Sequence, residues 1–584
     1  MKRKDAKKKS IARPSHRGAR ARAGGQTLRT CNIGALPIVN QLLERMQLES
    51  FLKQYLPRDN SRTAVPTSRC LLLLLRNILL SREPIYGLGE WAERFASELL
   101  GLKRGDLEHL NDDRVGRCLD RLFKADVPEL VLAVVRHVVK EFNVSLDELH
   151  NDSTTVSFYG AYEDASEEAK RGNRTRLAIT FGHSKDHRPD LKQLLYILTV
   201  SDDGGVPLYF TAASGNVTDD STHRETWDLL RQLVGHSEFL YVADCKLATR
   251  ENLQYIDGQD GRFVTILPRT RREDTEFRQQ LLTSLDAVKW DHLYDETNEK
   301  EEVVDRLHVC AEDITSSEGF RLLWYHSTRK AKRDAKSRAR ALDRASKELA
   351  QLQSRLRLPR TRFRQRDKVD AAVKEILSRG DIARWLNVQI QEMEEETFKQ
   401  ATRGRPGKNT RYIRETATRY TLLWTINTTQ IEHDQATDGV FPLITNQREM
   451  TPEEVLRAYK RQPLIEKRFS QFKSDFEVAP VYLKEVTRIQ AMLSIYFFAL
   501  MLQTLLEREL RHALKHSEYD SLPLYPEYRA CRAPTTRRIV DIFETVQRHN
   551  LSGGSEPQTF VTQLSPLQAQ VAKWFDIRPN QYGR

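Results

Sequence analysis

The clearest hydrophobic pattern in the chain lies between residues 459 and 476. Four large apolar residues recur there at the spacing of one helix face: Ile465, Phe469, Phe472 and Phe476. At about 100° per residue, four polar residues fall in the arc beside that stripe: Tyr459, Gln462, Glu466 and Lys473. The pattern predicts one helix with an apolar face in the core and polar groups at its rim. An ordinary amphipathic helix also accounts for this segment taken alone.

Apolar residues at helical spacing also run through residues 35–143. They predict helices at Ile38–Leu56, Thr67–Ser81, Trp91–Leu102 and Val127–Phe142, the last with Asp126 as its N-cap. An all-helical segment before a mixed region is typical of a separate domain. We expect this domain to bind DNA, although it shows no helix-turn-helix pattern.

The spacing changes to that of strands at about residue 144. Strands are predicted at His150–Tyr159, Leu177–Phe181, Leu194–Ser201, Val206–Ala212, Phe239–Ala243 and Phe263–Leu267. Helices are predicted at Thr222–Val234 and Ala248–Tyr255. The Asp202-Asp203-Gly204-Gly205 run is a hairpin signal. The strands up to Ala212, followed by a helix, a strand, a helix and a strand, predict a layered α/β fold.

Residues 270–435 interrupt this α/β pattern. Two strands are predicted at Glu302–Cys310 and Phe320–Tyr325, and later ones at Tyr420–Ile426 and Phe441–Thr445. Between them lies a long basic helix whose apolar residues have coiled-coil spacing: Leu342, Ala345, Leu349, Leu352 and Leu356. We expect this helix to form an antiparallel hairpin with Val369–Ile390. Arg403-Gly404-Arg405-Pro406 resembles an AT-hook core, but a basic Gly/Pro loop tip has the same composition.

The net charge of +12 is unevenly distributed. Residues 1–22 contain ten Lys and Arg against Asp5 alone, and residues 329–368 contain sixteen against four acidic residues. Two basic patches on an otherwise acidic chain indicate a polyanion partner, and nucleic acid is the first expectation. A solvated helix face explains part of the second patch, but not its fourfold basic excess.

Neither a zinc site nor a membrane span is predicted. The six cysteines show no CxxC pair and no zinc-like Cys/His spacing, which fits a reducing compartment. The apolar run Leu71–Leu80 is too short to span a bilayer, and Ile489–Leu506 is interrupted by Gln490 and Gln503. We expect both runs to be buried core helices.

Asp152 and Asp244 each lie in or at the end of a predicted strand. Burying an unpaired carboxylate there is costly, and a divalent cation would relieve that cost. Hard oxygen ligands suit Mg²⁺ or Mn²⁺. Together with Glu466, the two aspartates would form an acidic pocket for two ions about 4 Å apart. For either aspartate alone, a strand-end cap or turn is the simpler interpretation.

This order of a strand Asp152, a strand Asp244, a large insertion and a helical Glu466 resembles the DDE transposases of bacterial insertion sequences. The resemblance covers roughly residues 145–515 and includes the run from Gly182 to Asp190. It implies an α/β fold with an RNase H-like catalytic core, which is a mixed five-stranded sheet with flanking helices.

More narrowly, the segment resembles the subclass with a Tyr-x2-Arg-x3-Glu-x6-Lys (YREK) helix, preceded by an insertion. Tyr459, Glu466 and Lys473 match that spacing, whereas Gln462 occupies the arginine position and Arg461 lies beside it. This departure affects an expected DNA contact and not the metal ligands.

The resulting domain division has six parts. A flexible basic arm covers 1–25, the helical N-terminal domain 26–143, the first part of the core 144–269, the insertion 270–435, the second part of the core 436–515 and a C-terminal tail 516–584.

The resemblance implies metal-dependent cleavage at transposon ends and strand transfer into target DNA. Asp152, Asp244 and Glu466 would be the catalytic and metal-binding residues, holding two Mg²⁺ or Mn²⁺ ions. Expected DNA contacts are Tyr459, Arg461, Gln462, Lys473, His187 and Arg188. His187 and Arg188 could equally fix a strand connection. The expected partners are transposon-end and target DNA, with a homodimer in the DNA complex, no membrane, and a bacterial, nucleoid-associated cytoplasmic location.

Two alternatives stay open. A transposase-derived DNA-binding protein without catalysis would keep the basic regions, and Gln462 is the feature in its favour. An RNase H-like nuclease would hydrolyse DNA without joining it.

Overall fold

The computed structural model describes residues 22–23, 26–165, 167–171, 174–283, 288–298, 300–358, 361–380, 382–476, 483–525, 527–553, 556–578 and 580–583. The predicted basic arm, residues 1–25, lies outside the described residues except for Arg22 and Ala23. Backbone contacts divide the chain into two compact units. The first unit comprises Met1–Val264 and Arg457–Arg584, and the second comprises Thr265–Leu456. The predicted insertion, 270–435, lies within the second unit.

Helices dominate the N-terminal part of the first unit. Its elements are β1 (Arg22–Ala23), β2 (Gln26–Asn32), α1 (Leu36–Arg45), α2 (Leu48–Tyr55), α3 (Thr67–Leu80), α4 (Leu88–Glu93), α5 (Asp112–Lys124) and α6 (Val127–Phe142). Helix α6 has the predicted bounds, and Asp126 caps it by accepting a bond from the Glu129 amide. The single helix predicted over Ile38–Leu56 is wrong, because Gln47 takes a left-handed φ of 49° and separates α1 from α2. Trp91–Leu102 is likewise not one helix, since α4 ends at Glu93.

The α/β part of the first unit follows the predicted order closely. Its elements are β3 (Glu148–Phe158), β4 (Ala169–Arg171), β5 (Arg174–Arg176), β6 (Lys192–Ser201), β7 (Pro207–Ser214), α7 (His223–Val234), β8 (Leu240–Ala243), α8 (Arg250–Asp257) and β9 (Arg262–Ile266). Five strands lie side by side in the order β9-β8-β3-β6-β7. Strand β3 runs antiparallel to β6 and parallel to β8, and β6 runs antiparallel to β7. The sheet is therefore mixed, with β3 at its centre.

The strand predicted at Leu177–Phe181 is wrong. Only Thr180 forms a β-bridge there, to Gln193. The amides of Leu177 and Ala178 donate to the side chains of Gln490 and Ser214 at 3.1 and 3.0 Å. These side chains take the place of a neighbouring strand, so no ladder forms.

The second unit combines a sheet with a long helix and a long hairpin. Its elements are α9 (Arg272–Thr283), β10 (Trp290–Thr297), β11 (Val303–Cys310), β12 (Ile314–Thr315), β13 (Arg321–Ser327), α10 (Thr328–Leu356), α11 (Arg366–Leu377), α12 (Ile382–Trp385), β14 (Leu386–Gln400), β15 (Tyr412–Ile426), α13 (Thr428–Gln435), β16 (Val440–Thr445) and α14 (Pro452–Tyr459), whose last three residues belong to the first unit. Strands β10, β11, β13 and β16 are neighbours in that order and all antiparallel.

The predicted apolar seam of α10 is buried. Its five residues pack with Val369, Val373 and Ile376 of α11 and with Leu386, Tyr420 and Leu422 of the β14–β15 hairpin. The predicted helical partner Val369–Ile390 is wrong in its second half, because α11 ends at Leu377 and β14 begins at Leu386. The seam therefore packs on a helix and the base of a β-hairpin, and not on a second long helix.

The chain completes the first unit with α15 (Pro463–Ser470), a π-helical turn (Gln471–Asp475), α16 (Val486–Lys515), α17 (Thr536–Phe543), β17 (Gln547–Ser552), β18 (Gln558–Val561), α18 (Pro566–Trp574) and α19 (Asn580–Gly583). Strand β17 pairs with β2, giving a four-stranded sheet in the order β1-β2-β17-β18. The segment 516–584 thus forms a sheet with the N-terminal strands.

The continuous helix predicted from Tyr459 to Phe476 is wrong in its first turn. Helix α14 ends at Tyr459 and α15 begins at Pro463, whose nitrogen has no hydrogen to donate. The amides of Gln462 and Ile465 instead bond to carbonyls three residues earlier. The predicted apolar stripe is confirmed, since Ile465, Phe469, Phe472 and Phe476 are all buried.

Helix α16 is long and apolar enough to cross a membrane by length and composition. Within the protein, however, 89% of its most apolar window is buried. Burial by the protein itself explains its composition, in agreement with the predicted core helix.

Candidate active site

Asp152 and Asp244 come from neighbouring parallel strands. The register pairs Asn151 of β3 with Ala243 of β8. Asp152 is the next residue on β3, and Asp244 directly follows β8. The two aspartates therefore lie side by side where β8 ends next to the middle of β3.

The electrostatics of Asp152 reflect this proximity. Burial raises the pKa of Asp152 to about 6, Lys185 opposes the rise, and the charge of Asp244 adds to it. A carboxylate in this position gains from any further positive charge placed between it and Asp244.

Glu466 lies on α15 and is exposed. The side chain of Tyr459, the last residue of α14, feels the charge of Glu466 together with those of the two aspartates. Burial raises the pKa of the Tyr459 phenol, and the negative charges of Asp244, Glu466 and Asp152 raise it further. One phenol thus lies within electrostatic reach of all three predicted catalytic carboxylates.

Lys185 is the residue that pattern analysis of the sequence missed. Its ammonium donates to Asp152 Oδ1 at 3.2 Å, to the Ser153 carbonyl at 2.8 Å and to Ser153 Oγ at 2.7 Å. It belongs to the 182–190 run that carried part of the family resemblance, but its spacing gave no sign of this contact. The protein thus supplies its own cation to the first aspartate.

The next residue on this loop, Asp186, holds Lys473. Lys473 lies on the π-helical turn after α15 and donates to Asp186 Oδ1 at 2.5 Å. Thr155 of β3 donates to the other oxygen of Asp186 at 3.3 Å. One loop therefore contacts both Asp152 and the lysine that was predicted to bind DNA.

Gln462 and Arg461 contact protein groups at the other end of α15. Gln462 is buried and donates to the Asn151 carbonyl at 3.2 Å, and its Oε1 lies 2.9 Å from His150 Nδ1. Arg461 forms an ion pair with Glu148, which also bonds to His150 Nε2. This network ties the start of α15 to β3 immediately before Asp152.

His187 and Arg188 are exposed on the same loop as Lys185. His187 has a positive φ of 56°, and Arg188 bonds to Asp190 at 2.7 and 2.8 Å and to the Tyr159 hydroxyl at 3.2 Å. These contacts are local to the loop and the end of β3.

Helix α15 is also anchored from its buried side by Arg468. This fully buried guanidinium donates to the carbonyls of Gly204 and Gly205 at 2.5 and 3.0 Å and to Glu507 of α16 at 3.3 Å. Both glycines have positive φ, as the tight turn between β6 and β7 requires. The sequence did not predict that Arg468 is buried, because an arginine beside apolar helix positions normally lies on the solvent-exposed flank of the helix.

The oxygen donors of Asp152, Asp244 and Glu466 fit a hard divalent cation. Within the described ranges, no three His, Cys, Asp or Glu side chains are grouped closely enough to hold one ion. The oxygens of Asp152 and Asp244 are the ligand type that Mg²⁺ and Mn²⁺ prefer. Burial keeps the pKa of Asp152 raised despite the charge of Lys185, so a further cation would stabilise its ionised form.

Residues 148–502 match the family described as "Transposase DDE domain", and residues 28–136 match "Domain of unknown function (DUF4277)". The first match covers more than half of the chain, so the protein belongs to the DDE transposase family. No curated protein matches the chain significantly.

Among solved structures, the chain is similar to a cryo-EM structure of a piggyBac transposase synaptic complex with hairpin DNA. The sequence identity is 13% and the TM-score 0.24, over 48% of this chain and 60% of that one. A TM-score this low does not establish a common fold.

Proposed function

We propose that this protein is a DNA transposase that cuts DNA at transposon ends and joins those ends to target DNA. The observation that carries the proposal is the register of β3 and β8, which places Asp152 beside Asp244. The Tyr459 phenol feels the charges of both aspartates and of Glu466. Membership of the DDE transposase family supports the same chemistry. The strand order β9-β8-β3-β6-β7 supports an RNase H-like core.

In this proposal Asp152, Asp244 and Glu466 hold two divalent cations, Mg²⁺ or Mn²⁺. When bound, such a pair activates a water or a 3′-hydroxyl and stabilises the leaving oxygen at phosphorus. At neutral pH Asp152 is mostly ionised, because its pKa of about 6 lies below that pH. The ammonium of Lys185 bonds to Oδ1 of Asp152, so a cation held by that oxygen would displace it.

Tyr459 and Lys473 are the proposed DNA contacts nearest the carboxylates. The Tyr459 phenol is protonated at neutral pH, and burial raises its pKa further, so it can donate a hydrogen bond to a phosphate oxygen without adding negative charge. Lys473 provides a point charge for a backbone phosphate once it leaves Asp186.

The other four proposed DNA contacts differ in how accessible their side chains are to DNA. Arg188 is exposed and His187 lies beside it, whereas Arg461 is paired with Glu148 and Gln462 is buried. For the last two, a role in fixing α15 against β3 accounts for their contacts. That role also explains how a glutamine serves at the signature's arginine position.

The finer assignment is to the YREK subclass of bacterial insertion-sequence transposases. It is supported by the Tyr459, Glu466 and Lys473 spacing and by the insertion between β9 and α15. A homodimer on paired transposon ends, and a nucleoid-associated location in the bacterial cytoplasm, follow from this assignment.

The test is an assay on labelled duplexes of the element's own ends, both uncut and pre-cut, with a target plasmid and Mn²⁺. The wild-type protein cuts the first and joins the second. We expect Glu466→Gln to bind both duplexes like the wild type but neither to cut nor to join them. The control is Glu518→Gln, at an exposed glutamate elsewhere in the first unit, and it should behave as wild type. Hydrolysis without joining would indicate a nuclease, and binding without cleavage would indicate a non-catalytic protein.

A further inference from the structure

Strands β14 and β15 form an unusually long, isolated hairpin in the second unit. They pair without interruption over 15 positions, from Leu386 opposite Ile426 to Gln400 opposite Tyr412. At about 3.4 Å per residue, the ribbon is about 50 Å long. Only its base is packed on α10, through Leu386, Tyr420 and Leu422.

Beyond this base the ribbon is exposed on both faces. Residues 391–399 and 412–418 are all exposed, although a β-strand normally buries alternate side chains. We call residues 391–419 the arm and residues 401–411 its tip. Such a ribbon is kept soluble by charge and not by burial.

The charges on the strands of the arm largely neutralise one another across the ribbon. Arg414 pairs with Glu396, Lys399 with Glu415, and Arg419 with Glu395. Below them, Glu392 is paired with Arg366 of α11. Counting residues 391–400 and 412–419, five glutamates face three basic residues, so this part of the arm is net acidic.

The tip has the opposite character. It contains four basic residues and no acidic one, and all four are exposed: Arg403, Arg405, Lys408 and Arg411. None of the four pairs with a carboxylate anywhere in the part of the chain that the structure describes. Bonds from Ala401 N to the Arg411 carbonyl and from Gly407 N to Thr410 Oγ1, at 2.9 and 2.7 Å, close the loop. The tip is therefore an ordered cluster of unpaired cations.

We propose that the tip of the arm binds the phosphate backbone of duplex DNA end-on. This inference rests on the proposed function for the presence of DNA, but it concerns a surface outside the active site. Four unpaired cations attract a polyanion, while the net acidic strands behind them repel it, so contact is confined to the tip. A two-stranded ribbon is also narrow enough to enter the major groove.

A second copy of this chain is the competing occupant. Phe398, Tyr412 and Ile413 are large, exposed apolar residues next to the tip, at 63%, 53% and 54% exposure. These apolar residues do not explain why the tip is basic while the strands are net acidic. That separation of charge favours DNA as the binding partner.

The test compares the full-length protein with a variant carrying Arg403→Gln, Arg405→Gln, Lys408→Gln and Arg411→Gln. The matched control is Lys399→Gln with Glu415→Gln, which removes a charge pair from the arm and leaves the net charge unchanged. Binding to an end duplex is measured by fluorescence anisotropy at several salt concentrations. The slope of the logarithm of the binding constant against the logarithm of salt concentration falls in magnitude by about 0.9 for each phosphate contact that is lost. If all four cations contact phosphates, the slope of the tip variant is therefore smaller than that of the wild type by up to about 3.6.

We expect the tip variant to bind at least about tenfold more weakly at low salt, and the control to match the wild type. An unchanged slope and affinity would overturn the inference. So would an unchanged slope accompanied by a loss of self-association in light scattering, which would assign the arm to a second copy. If the wild type binds DNA through the tip but never cuts or joins its ends, the proposed function fails and the arm inference stands.

Discussion

The ammonium of Lys185 lies 3.2 Å from Oδ1 of Asp152, the first of the three proposed metal ligands. The same ammonium is held by the carbonyl and the hydroxyl of Ser153, so its position is fixed from two sides. Lys185 lowers the pKa of Asp152, which burial and Asp244 raise. The carboxylate of Asp152 is thus partly neutralised by an ammonium that would compete with a cation for the same oxygen.

Replacing Lys185 with Gln is expected to tighten Mn²⁺ binding to the DNA-free protein. The substitution removes a competitor for Asp152 and a positive charge that repels the ion, and we expect a gain of about tenfold. Isothermal titration calorimetry measures the affinity, with the exposed Lys515→Gln as the control. Equal or weaker Mn²⁺ binding by Lys185→Gln would contradict this account.

Asp152→Asn is expected to stabilise the metal-free protein at neutral pH. Because the folded-state pKa of Asp152 is raised to about 6, the unfolded state loses its proton at lower pH than the folded state. Ionisation of Asp152 therefore costs stability as the pH rises from about 4 to 6, by up to about 3 kcal/mol. The gain in Tm should be present at pH 7.5 and vanish near pH 4. A gain that persists at pH 4, or one shared by the exposed Asp520→Asn, would refute this origin.

Asp186→Asn is expected to strengthen DNA binding, because it releases Lys473 from a 2.5 Å ion pair. Lys473→Gln is expected to weaken it by about tenfold and to reduce the salt slope by about one, as for one phosphate contact. Both side chains are partly exposed, so neither change should alter Tm strongly. The double variant should resemble Lys473→Gln. If Asp186→Asn strengthened binding even without Lys473, the release of that lysine would not be the cause.

Arg468→Met is expected to destabilise the protein by about 3–5 kcal/mol, because it leaves the buried Glu507 with one partner fewer. Arg511 contacts the same carboxylate from a partly exposed position, so Arg511→Gln is the matched control and should cost about 1 kcal/mol or less. Denaturant unfolding measures both. Similar losses for the two variants would show that burial of Arg468 does not anchor α15.

The parts of the fold that the sequence predicted well are those governed by local periodicity. The bounds of α6 and the apolar stripe of α15 follow from side-chain spacing alone. The break between α14 and α15 was not predicted, although Pro463 marks it, because the polar arc of Tyr459, Gln462, Glu466 and Lys473 keeps its helical spacing across it. The false strand at Leu177–Phe181 had suitable residues but found side-chain partners for its backbone in distant segments.

The candidate site shows the same division. Asp152, Asp244 and Glu466 could be proposed as ligands from the sequence, because predicted strands, helix spacing and the family resemblance mark them. The sequence could not predict the roles of Lys185, Glu148 and Arg468, since each of them contacts a partner that is far away in the sequence. Arg461 and Gln462 were predicted to face DNA, but their contacts with Glu148 and His150 depend on how α15 meets β3. Such pairings need the folded chain.

The most direct test of the central claim is anomalous diffraction from crystals of the protein with Mn²⁺ and transposon-end DNA. The account predicts manganese peaks within about 2.5 Å of the carboxylates of Asp152, Asp244 and Glu466, with the Lys185 ammonium displaced from Asp152. Manganese bound elsewhere, or a Glu466 carboxylate more than about 10 Å from both aspartates in that complex, would contradict it.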